Sequence, residues 1–266
     1  MKSSSSGYYD QTYVVEFYDP VYERLWNADI NFYLEYSRLA TGRILELGCG
    51  TGRVLLPIAL SGHKITGIDL STYMLAKCQE KLAQQPPKVK RKVKLIQGDM
   101  CNFKTNEIYS MITVPFRAFQ HLTTVEEQKA CLGSAHQHLA SDGILILDLF
   151  HPFPPRLVAN PQYASEKEDF PETKLTDGRT LRRTNRILEC HRDQQYNLVE
   201  IIYYVSYPDR RTERLKQTFP MRYFFRYEVE HLLNLCGFQV INLFGNFDKS
   251  EFSNDSPEMI FIAKKR

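Results

Sequence analysis

Three alternating glycines, Gly48, Gly50 and Gly52, follow the apolar residues Ile44, Leu45 and Leu47 in Ile-Leu-Glu-Leu-Gly-Cys-Gly-Thr-Gly-Arg-Val. Glycines in such a turn let the chain bend sharply and let a ligand reach main-chain N–H groups with no Cβ in the way. At the carboxyl end of a strand, this is where open α/β sheets bind nucleotide-like cofactors. Two acids extend the pattern. Asp69 closes Ile-Thr-Gly-Ile-Asp, about 20 residues past the first glycine, where a carboxylate accepts hydrogen bonds from ribose hydroxyls. Asp99 closes the next such run, Leu-Ile-Gln-Gly-Asp. Either acid alone reads more simply as a helix N-cap or a turn residue. At three successive strand ends, in order with the glycines, they read as one cofactor site.

The elements that must position these groups follow from hydrophobic period. Apolar residues resume at helical spacing after the turn (Val54, Leu55, Ile58, Ala59). Strands over 43–47, 64–68, 93–97, 108–114 and 144–150 alternate with helices over 52–61, 72–84 and 124–139. The run Ile-Leu-Ile-Leu-Asp-Leu-Phe at 144–150 is nearly all apolar, as in a strand buried on both faces. This alternation predicts an α/β fold with a doubly wound, mostly parallel sheet. The pattern breaks at His151-Pro-Phe-Pro-Pro. Strands over 179–190, 196–207 and 211–219, joined by short polar turns, predict an antiparallel meander. A helix over 226–236, stopped by Gly237, and strands over 238–244 and 258–263 return to the sheet. Residues 20–40 place aromatic and aliphatic residues at roughly helical spacing, including Tyr22, Leu25, Trp26 and Phe32. The organisation is therefore a helical cap over 1–40, a cofactor-binding α/β domain over 41–150 and 223–266, and a β lid over 151–222.

The turn also selects the cofactor. A dinucleotide site would place a third glycine where this chain has Arg53. Glu46, inside the strand before the turn, suits a cofactor with a cationic group. Here the sequence resembles the class I S-adenosylmethionine-dependent methyltransferases. Glu-Leu-Gly-Cys-Gly-Thr-Gly at 46–52 is similar to their first motif, Gly-Ile-Asp-Leu-Ser at 67–71 to their second, and Gln-Gly-Asp-Met at 97–100 to their third. The resemblance implies a Rossmann-like, seven-stranded fold and S-adenosylmethionine as cofactor, with S-adenosylhomocysteine as product. It implies that Gly48, Cys49, Gly50 and Gly52 wrap the amino-acid end, with Glu46 behind. It puts Asp69 on the ribose, Leu70 and Met74 against the adenine, and Asp99 and Met100 at its polar edge. Met74 reads equally as a core helix residue.

Val-Pro-Phe-Arg-Ala-Phe-Gln-His-Leu at 114–122 lies where this family places substrate-facing residues. Pro115 is assigned to the cofactor, and Arg117, Phe119 and Gln120 to the acceptor. His121 resembles the histidine of small-molecule N-methyltransferases acting on amino sugars, although Gln120 replaces the glycine before it. A neutral histidine, with a reference pKa of about 6.5, accepts a proton near neutral pH; orienting the acceptor and simple packing are the alternatives. Tyr18 and Tyr33 resemble residues of segments that close over the cofactor, and aromatic packing on the sheet explains either as well. The lid is similar to that of glycine- and amino-sugar-type enzymes, with Arg222 and Tyr223 where the chain returns to the sheet.

Composition narrows the partners. With 34 basic and 31 acidic residues the net charge is +3, too mild to argue for nucleic acid. The basic run at 88–94 reads as a solvated loop. The six cysteines have no zinc spacing and no disulfide framework, and no metal is expected. A reduced, cytoplasmic protein is the simple reading, since the serine-rich start is no signal peptide and no apolar stretch is long enough to span a membrane. The expected reaction is transfer of a methyl group to a small-molecule acceptor, at nitrogen or oxygen. The rivals are an RNA or protein methyltransferase and a non-catalytic cofactor-binding protein; aminopropyl transfer fits less well. Oligomeric state is not encoded in any of these features.

Overall fold

The computed structural model describes residues 11–25 and 28–266; the serine-rich start and Trp26 lie outside them. Two helices, α1 (Thr12–Leu25) and α2 (Ala28–Ser37), precede β1 (Arg43–Leu47). Then come α3 (Leu55–Leu60), β2 (Ile65–Asp69), α4 (Thr72–Ala83), the one-turn α5 (Pro87–Lys90), β3 (Val93–Gln97) and β4 (Tyr109–Val114). A 3-10 turn, Ala118–His121, leads to α6 (Val125–His138) and β5 (Leu139–Phe150). The lid holds α7 (Pro161–Ala164), β6 (Lys167–Lys174), β7 (Thr180–His191), β8 (Tyr196–Ser206) and β9 (Thr212–Arg222). The chain ends with α8 (Arg226–Leu235), β10 (Phe238–Phe244) and β11 (Glu258–Lys265).

The main sheet has seven strands in the order β10-β11-β5-β4-β1-β2-β3. Only β11 runs antiparallel to its neighbours, pairing β5 on one side and β10 on the other. Side chains alternate between faces. Leu45, Leu47, Ile112 and Leu147 pack with Leu132 of α6 and Val229 of α8. Ile44, Ile65, Met111 and Ile146 pack on the opposite face with Phe32, Leu55 and Leu82 of α2, α3 and α4. The chain leaves β1 for β2 on one side and reaches β4 on the other. That reversal opens a crevice at the carboxyl ends of the strands, the usual ligand site of open α/β sheets.

The lid is a four-stranded antiparallel sheet, β6-β7-β8-β9. Its inner face (Leu181, Ile201, Tyr203, Val205, Phe219) is closed by Phe17, Val21 and Tyr22 of α1. The Tyr13 hydroxyl donates to the Lys216 carbonyl at 2.5 Å. On the other side, Asp19 of α1 accepts hydrogen bonds from Thr51 (2.5 Å) and Lys81 (2.9 Å). Helix α1 thus bridges the lid and the glycine turn.

Three elements differ from the sequence reading. The first lid strand, Lys-Glu-Asp-Phe-Pro-Glu-Thr-Lys, was not expected, because its charges and Pro171 hide the pattern. Both features suit an edge strand. Strand β5 begins at Leu139 instead of 144, and a register shift against β4 absorbs its irregular start. Helix α3 starts at Leu55 because Gly52 is still left-handed, with φ +82°.

Candidate active site

The glycine turn adopts a backbone that its sequence requires. Gly48 has φ +73°, and a Cβ there would lie 2.7 Å from the Ala118 Cβ. Gly50 has φ +52°, and a Cβ there would meet nothing within 4 Å, so its face is open. Asp69 is fixed by this turn: its carboxylate accepts from the Gly50 N–H at 2.7 Å and from the Ser71 N–H at 2.9 Å. Burial raises the Asp69 pKa and these backbone donors oppose the rise. Each carboxylate oxygen still has acceptor capacity for a ligand hydroxyl. Asp99 is oriented in the same way, accepting from the Cys101 N–H at 2.9 Å.

These groups line a cavity of about 540 Å³. Gly48, Gly50, Asp69, Leu70 and Met74 form one wall, and Gly98, Asp99 and Met100 the next. Tyr18, Pro115, Phe116, His121 and Pro220 form the far side. The cavity therefore touches α1, the β4–α6 connection and the lid. Glu46 lies behind the turn, 1% exposed, and its Oε2 has no hydrogen-bond partner. Burial pushes its pKa well up, with Arg53 pulling it down. An open glycine face, a backbone-anchored carboxylate at the second strand end and an orphaned acid behind the turn fit a nucleoside cofactor that carries a cationic amino-acid arm.

The family described as methyltransferase domain matches residues 44–143, which include all three motif segments. Residues 44–143 carry an S-adenosylmethionine-dependent methyltransferase domain. It is 24% identical to a putative methyltransferase of Bacillus subtilis (strain 168), over 88% of each chain. It is 26% identical to the dTDP-3-amino-3,6-dideoxy-alpha-D-glucopyranose N,N-dimethyltransferase of Streptomyces fradiae, over 74% of this chain and 70% of that one. Among solved structures it is similar to the S-adenosylmethionine-bound amino pentose methyltransferase CalS10 of Micromonospora echinaspora. That similarity has a TM-score of 0.70 and 22% identity, covering 97% of this chain and 98% of the other. Among the described residues, no helix of the methyltransferase is long and apolar enough to cross a membrane.

The structure divides the sequence-assigned residues of this methyltransferase unevenly. Tyr18, Gly48, Gly50, Asp69, Leu70, Met74, Asp99, Met100, Pro115 and His121 all line the cavity. Cys49 and Gly52 face inward, the thiol against Gly67 and the glycine against Cys78. Tyr33 is fully buried, donates to Asp148 at 2.8 Å and packs on Phe32 and Phe247, because α2 turns it to the sheet. Four of the five assigned acceptor residues are framework. Arg117 is 2% exposed, ion-paired with Glu258 and stacked on Phe150. Phe119 is core, against Phe224. Gln120 donates to the Arg222 carbonyl at 2.6 Å and accepts from the Phe150 N–H at 2.8 Å. Arg222 donates to the Thr123 and Gln194 carbonyls and pairs with Glu228 at 2.9 Å. Tyr223 lines a separate surface cavity with Leu157, Arg192 and Phe225.

Two residues of consequence, Phe116 and Asp148, were missed. Phe116 and Arg117 are consecutive non-glycine residues with φ +57° and +62°. Their N–H groups converge on the Asp148 carboxylate at 2.9 and 2.7 Å. Such a strained pair persists only where its surroundings hold it. Asp148 does so, and thereby sets the Phe116 ring into the cavity wall. The available signal was the single acid in the apolar run 144–150. His121 follows on the 3-10 turn, its ring 5.3 Å from that of Phe219 of the lid. Burial lowers its pKa to about 4, so it is uncharged at neutral pH.

Proposed function

We propose that this methyltransferase methylates the amino group of a small, sugar-like acceptor. The observation that carries the reading is the position of His121: uncharged, between the cofactor wall and the lid, with its ring against Phe219. The Streptomyces fradiae and Micromonospora echinaspora relatives, named for amino-sugar acceptors, support it. The partial cover from α1 and the lid suits an acceptor small enough to be enclosed.

The cofactor supplies an already activated methyl on a sulfonium. The protein binds, orients and excludes water. Asp69 and the Gly50 backbone hold the cofactor end of the cavity, and Glu46, which burial favours as the neutral acid, ionises when a cationic arm pairs with it. Tyr18 and Phe116 form the opposite wall, with their rings 6.3 Å apart. An imidazole with a pKa of about 4 is a poor store for an amine proton at neutral pH. His121 therefore accepts an N–H hydrogen bond and turns the nitrogen lone pair toward the methyl. Of the base, orienting and packing roles that the sequence leaves open for His121, the orienting one suits an uncharged imidazole here. Orientation of this kind accounts for much of the rate in a two-substrate displacement.

The direct test is incubation with S-adenosylmethionine and dTDP-3-amino-3,6-dideoxy-α-D-glucopyranose, followed by mass spectrometry. The expected product carries one or two added methyl groups on nitrogen. Absence of product with this and other amino sugars, alongside methylation of an RNA or protein, overturns the reading.

A further inference from the structure

One buried polar side chain in the lid makes no side-chain hydrogen bond. Gln217 is 0% exposed, and neither its Nε2 nor its Oε1 has a hydrogen-bond partner. The other described buried amides, Gln120, Gln128 and Asn197, each make at least one hydrogen bond. A buried amide bonded at neither end carries its full desolvation cost, and an apolar side chain of the same shape would pack at that position without it.

Its location gives the cost a use. In β9 the register against β8 is regular, so Gln217 shares a face with Leu215 and Phe219. That face belongs to the apolar cluster under α1 that also takes in Tyr18 and Phe116. Gln217 lies two residues, roughly 7 Å along the strand, from Phe219, whose ring touches His121. The amide thus lies outside the residues that line the cavity, and an acceptor reaches it only by passing between the rings of this cluster. The neighbouring buried cation of the lid is committed: Arg183 bonds Asp169 and the Tyr22 hydroxyl. The polar function left to a ligand is a neutral one with both a donor and an acceptor.

We infer that Gln217 is a specificity residue that hydrogen-bonds a ring hydroxyl of the acceptor, the one next to the methylated amine. This rests on the amino-sugar reading above and deepens it. The acceptor ring slides between Phe116 and Phe219, its apolar face on the aromatic rings and its hydroxyl on the carboxamide. A hydroxyl both donates and accepts, so one group satisfies either end of the amide.

The test uses Gln217→Leu, which keeps volume and removes both polar atoms, and two acceptors that differ in that hydroxyl. These are dTDP-3-amino-3,6-dideoxy-α-D-glucopyranose and its 3,4,6-trideoxy counterpart. Wild type is expected to favour the hydroxylated acceptor by about 10-fold or more in kcat/KM, the value of one buried hydrogen bond. Gln217→Leu should lose that preference and keep its affinity for S-adenosylmethionine. It should also melt about 2–4 °C higher, since a cost is removed from the folded state. Equal wild-type turnover of both acceptors, an unchanged preference in the variant, or a lowered melting temperature overturns the role of Gln217 and leaves the amino-sugar reading standing. Failure of wild type to methylate either nucleotide sugar overturns that reading, and this inference with it.

Discussion

The cofactor wall and the acceptor wall of this cavity are built by different means. On the cofactor side, polar groups are held by backbone within the same strand–turn–helix motif or its neighbour. Asp69 is fixed by N–H groups 19 and 2 residues distant, and Asp99 by one 2 residues distant. On the acceptor side, side chains are held across the whole chain. Tyr33 reaches Asp148 at 115 residues' separation, Gln120 reaches Arg222 at 102, and Arg117 reaches Glu258 at 141. The first wall is a local motif that tolerates change elsewhere. The second exists only when β5, β9 and β11 are all in place.

The largest effect should come from breaking the second wall. Arg117→Met leaves Glu258 buried without its partner and should cost about 3–5 kcal/mol of stability in denaturant unfolding. A loss below 1 kcal/mol would mean that the acceptor wall does not depend on this pair. Breaking the first wall should instead harm binding. Asp69→Ala removes two charge-assisted contacts to the cofactor ribose, about 3 kcal/mol in all, so calorimetry should show affinity for S-adenosylmethionine down near 100-fold. Unchanged affinity would sink the ribose assignment.

His121 stands between the walls. His121→Ala should lower kcat by about 100-fold, the scale of a misoriented acceptor, while cofactor affinity stays within a factor of two. The same residue gives a pH signature. Its folded pKa is about 4, whereas an unfolded histidine titrates near 6.5. The unfolded chain therefore binds a proton that the folded chain does not, and stability falls as pH drops from about 6.5 to 4. Stability measured across that window should fall less steeply in His121→Gln; parallel curves would contradict a buried, uncharged His121. The smallest change tests the adenine wall. Leu70, 39% exposed, should lose about 1 kcal/mol of cofactor binding when cut to alanine, roughly a fivefold weaker Kd.

Legibility followed the same division. Gly48, Gly50, Asp69, Asp99 and their strands were readable because short-range backbone geometry imposes residue type and spacing together. Arg117, Phe119, Gln120 and Arg222 carry the right chemistry for an acceptor site, and Tyr33 for a segment closing over the cofactor, yet the fold uses them as framework. Residue type does not say which way a side chain points when its partner lies a hundred residues off. Phe116 sat inside the quoted segment but gave no sign of its left-handed backbone, which residue type alone does not reveal. Asp148 was visible only as one acid in an apolar strand.

By itself the sequence determined the α/β alternation and the β lid, written in local period, and a nucleoside-like cofactor with a cationic group, written in turn chemistry, which the family resemblance made S-adenosylmethionine. Tertiary structure decided which aromatic and charged residues face the cavity, that His121 is uncharged beneath the lid, and that Gln217 is buried with its amide unmet. Those outcomes depend on desolvation and on partners brought together from distant strands, and neither is a property of a residue's neighbours in sequence.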